Sequence, residues 1–148
     1  MKVSCGILAL AAVIGSVVTP VYAVGSEDEM PIVIDTFNFF EKVLDRKTNM
    51  VKGTKPWFIE FYAPWCPHCQ NLAPTWDELY RRNKERVNIA RVDCTSTNGK
   101  PLCFHYKVKG YPTMIFFPLG SSKTLHYESQ RTLEAFESWL DKQLAANK

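Results

Sequence analysis

Residues 61–69 read Phe61-Tyr62-Ala63-Pro64-Trp65-Cys66-Pro67-His68-Cys69. Two cysteines separated by two residues follow a run of strand-forming residues at 57–63. They precede a segment in which apolar residues recur at helical spacing, at Leu72, Trp76 and Leu79. A strand that delivers a Cys-x-x-Cys pair to the first turn of a helix predicts a redox site.

The start of this helix explains why Cys66 is the expected nucleophile. Unpaired N–H groups and the positive end of the helix dipole favour a thiolate there. Pro67 suits the first helical position, because its missing N–H would have no partner, and a protonated His68 would add positive charge. Cys69 lies one turn later on the same side, so it is expected to attack a mixed disulfide formed at Cys66.

The block from Glu60 to Cys69 resembles the active site of the protein disulfide isomerase family, within the thioredoxin superfamily. That family usually has Gly-His between the cysteines, whereas Pro67-His68 resembles the bacterial periplasmic oxidases of the DsbA type. The resemblance continues through Pro74, residues 110–113 and Arg131, and it covers roughly residues 31–144.

The resemblance implies a thioredoxin fold, which is an α/β fold with a mixed central sheet and helices on both faces. It also implies that no bound cofactor is needed, because the reducing equivalents reside on the sulfurs of Cys66 and Cys69. The expected substrates are unfolded or cysteine-containing client polypeptides. A separate redox partner would have to recycle the dithiol.

The N-terminus has the composition of a secretory signal peptide at residues 1–23. Lys2 supplies the positive charge, residues 7–18 the apolar run and residues 21–23 a small-residue cleavage site. A polar, flexible lead-in at 24–30 and a single domain at 31–146 would follow. An uncleaved signal anchor is the alternative, although the apolar run is short for a membrane span.

These features predict that the chain enters the secretory pathway, either to stay in the endoplasmic reticulum lumen or to be secreted. Its last residues, Ala145 to Lys148, are not a Lys-Asp-Glu-Leu-type retention signal. Removal of the signal would lower the formal charge from +3 to +2, since Lys2 is its only charged residue. Such a balance gives no reason to expect nucleic acid or membrane partners, and we expect a monomer.

The apolar patterns predict the order β-α-β-α-β-α-β-β-α without an internal repeat. In the first helix, capped by Asp35 or Thr36, the expected apolar face comprises Phe37, Phe40 and Leu44. Pro74 either kinks the helix that begins at Cys66 or divides it in two, and the resemblance favours one kinked helix. The last helix is expected to begin after a cap at Thr132.

Glu60 is the most informative charge, because it interrupts an apolar strand. A carboxyl group on a covered sheet face should have a raised pKa and could accept a proton near neutral pH. By resemblance it would take the proton of Cys69. The alternative is a solvated carboxylate at a strand edge. Arg91 is either a partner of Glu60 or a surface cation, and by resemblance Arg131 would stabilise the second thiolate.

Tyr111 and Pro112 precede another apolar strand. An X–Pro bond is cis in only about 5–6% of cases, so the residues alone favour a trans bond. By resemblance, however, Pro112 is the cis-proline beside the dithiol, and the Tyr111 backbone would hydrogen-bond an extended client. Trp65 either lines the rim of this client-binding site or packs in the interior.

Cys94 and Cys103 complete four cysteines outside the signal peptide. An even number in an exported chain favours a second disulfide, and some domains of the resembled family carry a cysteine pair in this region. Two buried free thiols or a regulatory pair are the alternatives. A zinc site built from all four cysteines is disfavoured by their spacing, so no metal is expected.

Three functions remain open at this stage. The first is a dithiol–disulfide oxidoreductase that forms or rearranges disulfides in client proteins. The second is a thioredoxin-fold chaperone or peptide-binding module in which the dithiol is dispensable. The third is a thioredoxin-like reductase, because the residues do not fix the direction of electron flow.

Overall fold

A computed structural model describes residues 30–146. The predicted signal peptide and the lead-in before Met30 lie outside the described residues. The elements are β1 (Ile32–Val33), α1 (Phe39–Lys42), β2 (Trp57–Tyr62), α2 (Pro67–Asn83), β3 (Asn88–Asp93), α3 (Lys100–His105), β4 (Thr113–Phe117), β5 (Leu125–His126) and α4 (Leu133–Ala146). This order confirms the predicted alternation. None of the helices within residues 30–146 is long and apolar enough to cross a bilayer.

The five strands form one mixed sheet in the order β1-β3-β2-β4-β5. β2 is central, paired in parallel with β3 and antiparallel with β4. Successive side chains of a strand point to opposite faces, so β2 contributes to a core on each side. Ile59 and Phe61 pack on one face, while Phe58 packs on the other.

Helices cover both faces of this sheet, as the resemblance implied. α1 and α3 supply Phe39 and Leu102 to the core that contains Ile59. α2 and α4 supply Trp76 and Phe136 to the core that contains Phe58. The sheet with its two helical layers is a thioredoxin fold, an α/β architecture that leaves the carboxyl end of β2 open at one edge.

α2 runs without a break from Pro67 to Asn83, with Pro74 in its interior. The alternative of two separate helices is therefore wrong. Trp76 ties the helix to the sheet, because its indole Nε1 donates to the Ala90 carbonyl on β3 at 3.1 Å. Packing of this kind stabilises a helix beyond what its own hydrogen bonds supply.

The predicted apolar face of the first helix is wrong in part. α1 has only four residues, and Phe37 precedes it with 75% of its surface exposed. The reason is a turn: the Asp35 carboxylate accepts the N–H groups of Phe37 and Asn38 at 2.9 and 3.1 Å. This local hydrogen bonding delays the helix and turns Phe39, rather than Phe37, into the core.

Candidate active site

The carboxyl end of β2 leads directly into the Cys-x-x-Cys pair. The Cys66 N–H donates to the Ala63 carbonyl at 3.0 Å, which closes a tight turn between strand and helix. Cys66 is the residue before the first turn of α2, with extended backbone angles, and Pro67 is the first helical residue. The cysteine sulfur thus lies where the helix presents unpaired N–H groups.

The antiparallel pairing of β2 with β4 brings a distant segment to the same place. Phe61 faces Thr113 across the ladder, so the residues that precede β4 lie beside the turn that carries Cys66. The Tyr111–Pro112 peptide bond is cis, and Pro112 is buried. The Cys66 thiol donates to the Tyr111 carbonyl, with 3.5 Å between sulfur and oxygen.

The environment separates the acidities of the two free cysteines. The pKa of Cys66 is lowered, chiefly because the Cys69 N–H hydrogen-bonds to its sulfur, with further help from the Cys69 thiol. Burial raises the pKa of Cys69 to about 12, and the neighbouring Cys66 sulfur and the Glu60 carboxylate add to the shift. Cys66 is therefore the more easily ionised of the two thiols, whereas Cys69 needs a base.

His68 and Pro67 are both exposed. The contribution of His68 to the lowered pKa of Cys66 comes from its backbone N–H rather than from its imidazole ring. The sequence predicted that both the N–H groups at the helix start and the charge of a protonated His68 would favour the thiolate. The backbone contribution is present in this structure, and the contribution of the imidazole charge stays a prediction.

Glu60 lies in the middle of β2 with only 2% of its surface exposed. Burial is the main reason that its pKa is raised to about 7, a shift that the positive charge of Arg91 opposes and the negative charge of Asp77 reinforces. The predicted rise in the pKa of Glu60 is confirmed, and a solvated strand edge is excluded. A carboxyl group with this pKa can accept or donate a proton near neutral pH.

Arg91 faces Glu60 across the parallel ladder of β2 and β3. Its Nε lies 3.8 Å from Glu60 Oε2, and its terminal NH2 group donates to Asp77 Oδ1 at 2.8 Å. The arginine is thus a partly buried partner of Glu60 rather than a surface cation, but its shorter contact is the hydrogen bond to Asp77 on α2.

The sequence analysis missed Asp77. Its partner Arg91 is 14 residues away on another element, so the residues around it give no sign of the ion pair. Helical spacing could have found it, because Asp77 lies four and seven residues after Ala73 and Gln70. Those positions share a face of α2 that looks towards Glu60.

A cavity of about 150 Å³ borders Cys69, Glu60 and Arg91. Such a volume is large enough to hold water, which could carry a proton between Cys69 and Glu60. The cavity is lined by Glu60, Tyr62, Ala63, Pro64, Cys69, Gln70, Ala73 and Arg91.

Arg131 and Trp65 lie at the rim of the site. Arg131 is exposed and borders a surface pocket together with Pro112, and its charge lowers the pKa of both Cys66 and Glu60. Trp65 is 67% exposed and meets the Tyr111 ring edge-to-face at 6.0 Å between centroids. Interior packing of Trp65 is therefore excluded, and an aromatic surface flanks the nucleophile.

Cys94 and Cys103 form a disulfide with 5.7 Å between their α-carbons. Both are buried in the core on the α1 and α3 side of the sheet, together with Leu102. The free cysteines belong to a separate small cluster with Ala63. Across residues 30–146, no three histidine, cysteine or acidic side chains are grouped in a way that could hold a metal ion.

Comparisons with known proteins agree with this geometry. The thioredoxin family profile matches residues 32–142. A protein disulfide-isomerase of Gallus gallus is 38% identical over 118 residues, which are 77% of this chain and 21% of that protein. A thioredoxin domain-containing protein of Theileria parva is 39% identical over 109 residues, covering 73% of this chain and 47% of its own length. The chain thus spans about a fifth to a half of these relatives.

Solved structures show the same likeness. The Trx4 domain of ERdj5 superposes with a TM-score of 0.66 and 28% identity, covering 78% of this chain and 96% of that one. Human ERp44 gives a TM-score of 0.63 with 26% identity, covering 76% of this chain and 29% of its own. With the profile match over most of its length, the fold and the cis-proline beside a Cys-x-x-Cys pair, the chain belongs to the thioredoxin family.

Proposed function

We propose that the protein is a dithiol–disulfide oxidoreductase that forms or rearranges disulfides in cysteine-containing client polypeptides. The observation that carries this proposal is the opposite shift of the two thiol pKa values, lowered at Cys66 and raised at Cys69. A thiolate beside a protonated thiol separates attack from resolution, which is what a dithiol exchange cycle requires. The names of the curated isomerase relatives support the same activity.

In the oxidising direction a client thiolate attacks Cys66 of the Cys66–Cys69 disulfide. A mixed disulfide forms at Cys66, and Cys69 leaves as a thiolate that takes a proton from Glu60. A second client thiolate then attacks the client sulfur of the mixed disulfide. The client gains a disulfide, Cys66 departs as a thiolate, and a separate oxidant must regenerate the dithiol.

In the isomerising direction the Cys66 thiolate attacks a client disulfide and releases one client thiolate. The client rearranges, or Cys69 loses its proton to Glu60 and attacks Cys66 to free the client. Glu60 therefore donates or accepts the same proton according to the direction. Arg131 would stabilise the thiolate formed during either step through its positive charge.

The rim of the site supports binding of an extended client. The backbone of Tyr111 and the buried ring of Pro112 would face the client strand, and Trp65 would contact apolar client side chains. The lowered pKa of Cys66 favours the reduced form, as in strongly oxidising members of the superfamily. We therefore infer that electrons flow from client to protein.

The proposed organisation is a signal peptide at residues 1–23, a lead-in at 24–30 and one catalytic domain at 31–146, acting as a monomer. A signal peptide and a buried disulfide favour the endoplasmic reticulum lumen or the extracellular space as the working compartment.

Catalysed refolding of reduced, unfolded ribonuclease in a glutathione buffer tests the function. Wild-type protein should accelerate recovery of ribonuclease activity, and the Cys66→Ser, Cys69→Ser double variant should not. The matched control is the Cys94→Ala, Cys103→Ala double variant, which also lacks two sulfurs and should keep catalysis. Full retention of activity by the Cys66→Ser, Cys69→Ser variant would instead identify a chaperone whose dithiol is dispensable.

A further inference from the structure

The side chains of Arg91, Glu60 and Asp77 form a charged cluster near the dithiol, with one cation and two carboxyl groups. Arg91 donates a direct hydrogen bond to Asp77 at 2.8 Å, while its closest approach to Glu60 is 3.8 Å. The Nε of Arg91 is buried and has no hydrogen-bond partner among the described residues. The guanidinium thus leaves one donor unused although a carboxyl oxygen lies only slightly too far away.

The backbone holds the three groups at these distances. Glu60 and Arg91 face each other on paired strands, so their α-carbons cannot separate without breaking the sheet. Asp77 lies on α2, which the neighbouring Trp76 fastens to β3. The side chains of Arg91 and Asp77 are 16% and 22% exposed, compared with 3% for Glu60. Asp77, the more hydrated carboxylate, therefore holds the Arg91 guanidinium, and the buried Glu60 receives no direct hydrogen bond from it.

The preference of Arg91 for Asp77 matters because a direct hydrogen bond from Arg91 would lower the pKa of Glu60. A carboxyl group that gains a close, hydrogen-bonded cation becomes a weaker base, typically by about 1–3 pKa units. The charged or titratable groups that act on Glu60 are Arg91 on β3, Asp77 and Cys69 on α2, Arg131 before α4 and Tyr62 on its own strand. Of these, Arg91 is the cation that the sheet places opposite it.

We propose that Asp77 is a positioning residue for proton transfer, since by holding the Arg91 guanidinium it prevents that cation from closing on Glu60 and so keeps Glu60 available to exchange a proton with Cys69. This inference rests on the proposed function. It assigns to Asp77 a role that the exchange cycle itself does not require, because Asp77 touches neither sulfur.

The test isolates the step in which Cys69 acts. Reduced protein is mixed with 5,5′-dithiobis(2-nitrobenzoate) in a stopped-flow instrument. Cys66 attacks the reagent disulfide, forms a mixed disulfide and releases one thionitrobenzoate. Cys69 then loses its proton and attacks Cys66, which forms the Cys66–Cys69 disulfide and releases a second thionitrobenzoate. The rate of the second release is recorded from pH 5 to pH 9.

For the wild type, the second release should accelerate as pH rises through about 7, where Glu60 becomes able to accept a proton. Asp77→Asn should move this midpoint down by about one pH unit, because Arg91 turns to Glu60 and the negative charge of Asp77 no longer raises the pKa of Glu60. Because Glu60 in this variant is deprotonated at lower pH but is a weaker base, the plots of rate against pH for the variant and the wild type should cross. With a Brønsted coefficient of about 0.5, the variant should be about threefold slower at pH 9 and about threefold faster at pH 5.

Three further variants separate positioning from a structural role. Asp77→Glu keeps a carboxylate for Arg91 and should restore the wild-type profile. Glu78→Gln removes the neighbouring carboxylate, which pairs only with the exposed Arg81 and Arg82 among the described residues, and should also follow the wild type. Asp77→Ala replaces the asparagine variant if circular dichroism shows that the latter does not fold.

A profile for Asp77→Asn that matches the wild type, or that is lowered by one factor at every pH, would overturn the inference. Failure of the proposed function has a different signature. In that case the wild type itself would release no second thionitrobenzoate, and the role of Asp77 would fall with it.

Discussion

Cys66 and Cys69 lie at the start of α2 as free thiols, whereas a disulfide joins Cys94, directly after β3, to Cys103 within α3. All four sulfurs belong to buried residues, with no more than 7% of their surface exposed. Burial alone therefore does not distinguish the two pairs. The difference lies in what surrounds each pair.

The Cys66 pair has charged and hydrogen-bonding neighbours. Backbone N–H groups and Arg131 act on Cys66, while Glu60 acts on Cys69. The Cys94 pair instead packs among apolar side chains in the core on the α1 and α3 side. Its loop is closely packed, since a β-carbon at Gly99 would collide with the Asp93 carbonyl oxygen.

The position of each pair in the backbone therefore decides which pair takes part in disulfide exchange. A helix start supplies N–H donors that stabilise a thiolate. A bridge across a tight loop offers no such donors and restricts the unfolded chain instead.

Cys69→Ser should stop the cycle after the first attack. Cys66 would still form a mixed disulfide, but Cys69 could no longer release it, so the mixed disulfide should persist until a client thiol attacks it. Net oxidation of clients, which needs the Cys66–Cys69 disulfide, should fall to the uncatalysed rate. Non-reducing electrophoresis with a scrambled, disulfide-containing client should show a covalent complex, formed when the Cys66 thiolate attacks a client disulfide and releases one client thiolate, and dithiothreitol should release the client from it. The corresponding Cys103→Ser variant should form no such complex through Cys66 beyond the wild-type level. A stable complex through Cys66 in both variants would contradict the role of Cys69 as the resolving thiol.

Glu60→Gln should slow the second release of thionitrobenzoate by about a hundredfold at pH 7.5, because the proton of Cys69 loses its acceptor. The measurement is the stopped-flow assay described above. Glu78→Gln, which removes an exposed carboxylate, is the control. A rate within twofold of the wild type would show that Glu60 does not serve Cys69.

The same Glu60→Gln substitution should stabilise the fold at alkaline pH. Burial raises the pKa of Glu60 to about 7 in the folded protein, above the pKa of this group in the unfolded chain. The contribution of protonated Glu60 to the free energy of unfolding is therefore fully present below the unfolded-state pKa and is lost as pH rises through 7. Glutamine has no charge to bury. The free energy of unfolding in urea should exceed that of the wild type by about 2 kcal/mol at pH 8, and the gain should vanish near pH 5.

The Cys94→Ala, Cys103→Ala variant should lose stability but keep activity. A bridge across nine residues contributes about 2–3 kcal/mol by restricting the unfolded chain. Urea unfolding should detect this loss, while the rate of disulfide exchange should stay within twofold of the wild type. A tenfold loss of exchange in the folded variant would mean that the two pairs are coupled.

Pro67→Gly should give the smallest effect. Glycine leaves the first turn of α2 less ordered, so the N–H groups beside Cys66 should stabilise its thiolate less. The pKa of Cys66, followed by iodoacetamide alkylation against pH, should move up towards its usual value. The dithiol should become a weaker oxidant by about threefold in its equilibrium with glutathione. A change in the opposite direction would contradict the role given to the helix start.

Local patterns in the sequence were sufficient to predict the element order and the dithiol. Cys66 lies between a run of strand-forming residues and a segment whose apolar residues recur at helical spacing, and both patterns can be recognised without knowledge of tertiary contacts. Glu60 was recognised for the same reason, because a charge within an apolar strand indicates burial. Five strands and four helices therefore followed from the order of the residues.

The missed features depend on contacts between distant residues or on competing local hydrogen bonds. Asp77 resembles any solvated helix residue until α2 is placed against β3, where Arg91 meets it. Phe37 has the spacing of a core residue, but the Asp35 side chain turns the chain before α1 begins. The cis bond before Pro112 was implied only by resemblance, since the residues alone favour trans.

The reduction potentials of the two cysteine pairs, measured in the same samples, test whether the Cys66–Cys69 pair gives its disulfide to clients while the Cys94–Cys103 bridge stays intact. The protein is equilibrated in glutathione buffers of graded ratio, alkylated and analysed by peptide mass. We expect the Cys66–Cys69 pair at or above about −180 mV and the Cys94–Cys103 pair below about −300 mV. Equal potentials, or a Cys66–Cys69 value near about −270 mV, would contradict a disulfide-forming role and indicate a reductant of the thioredoxin type.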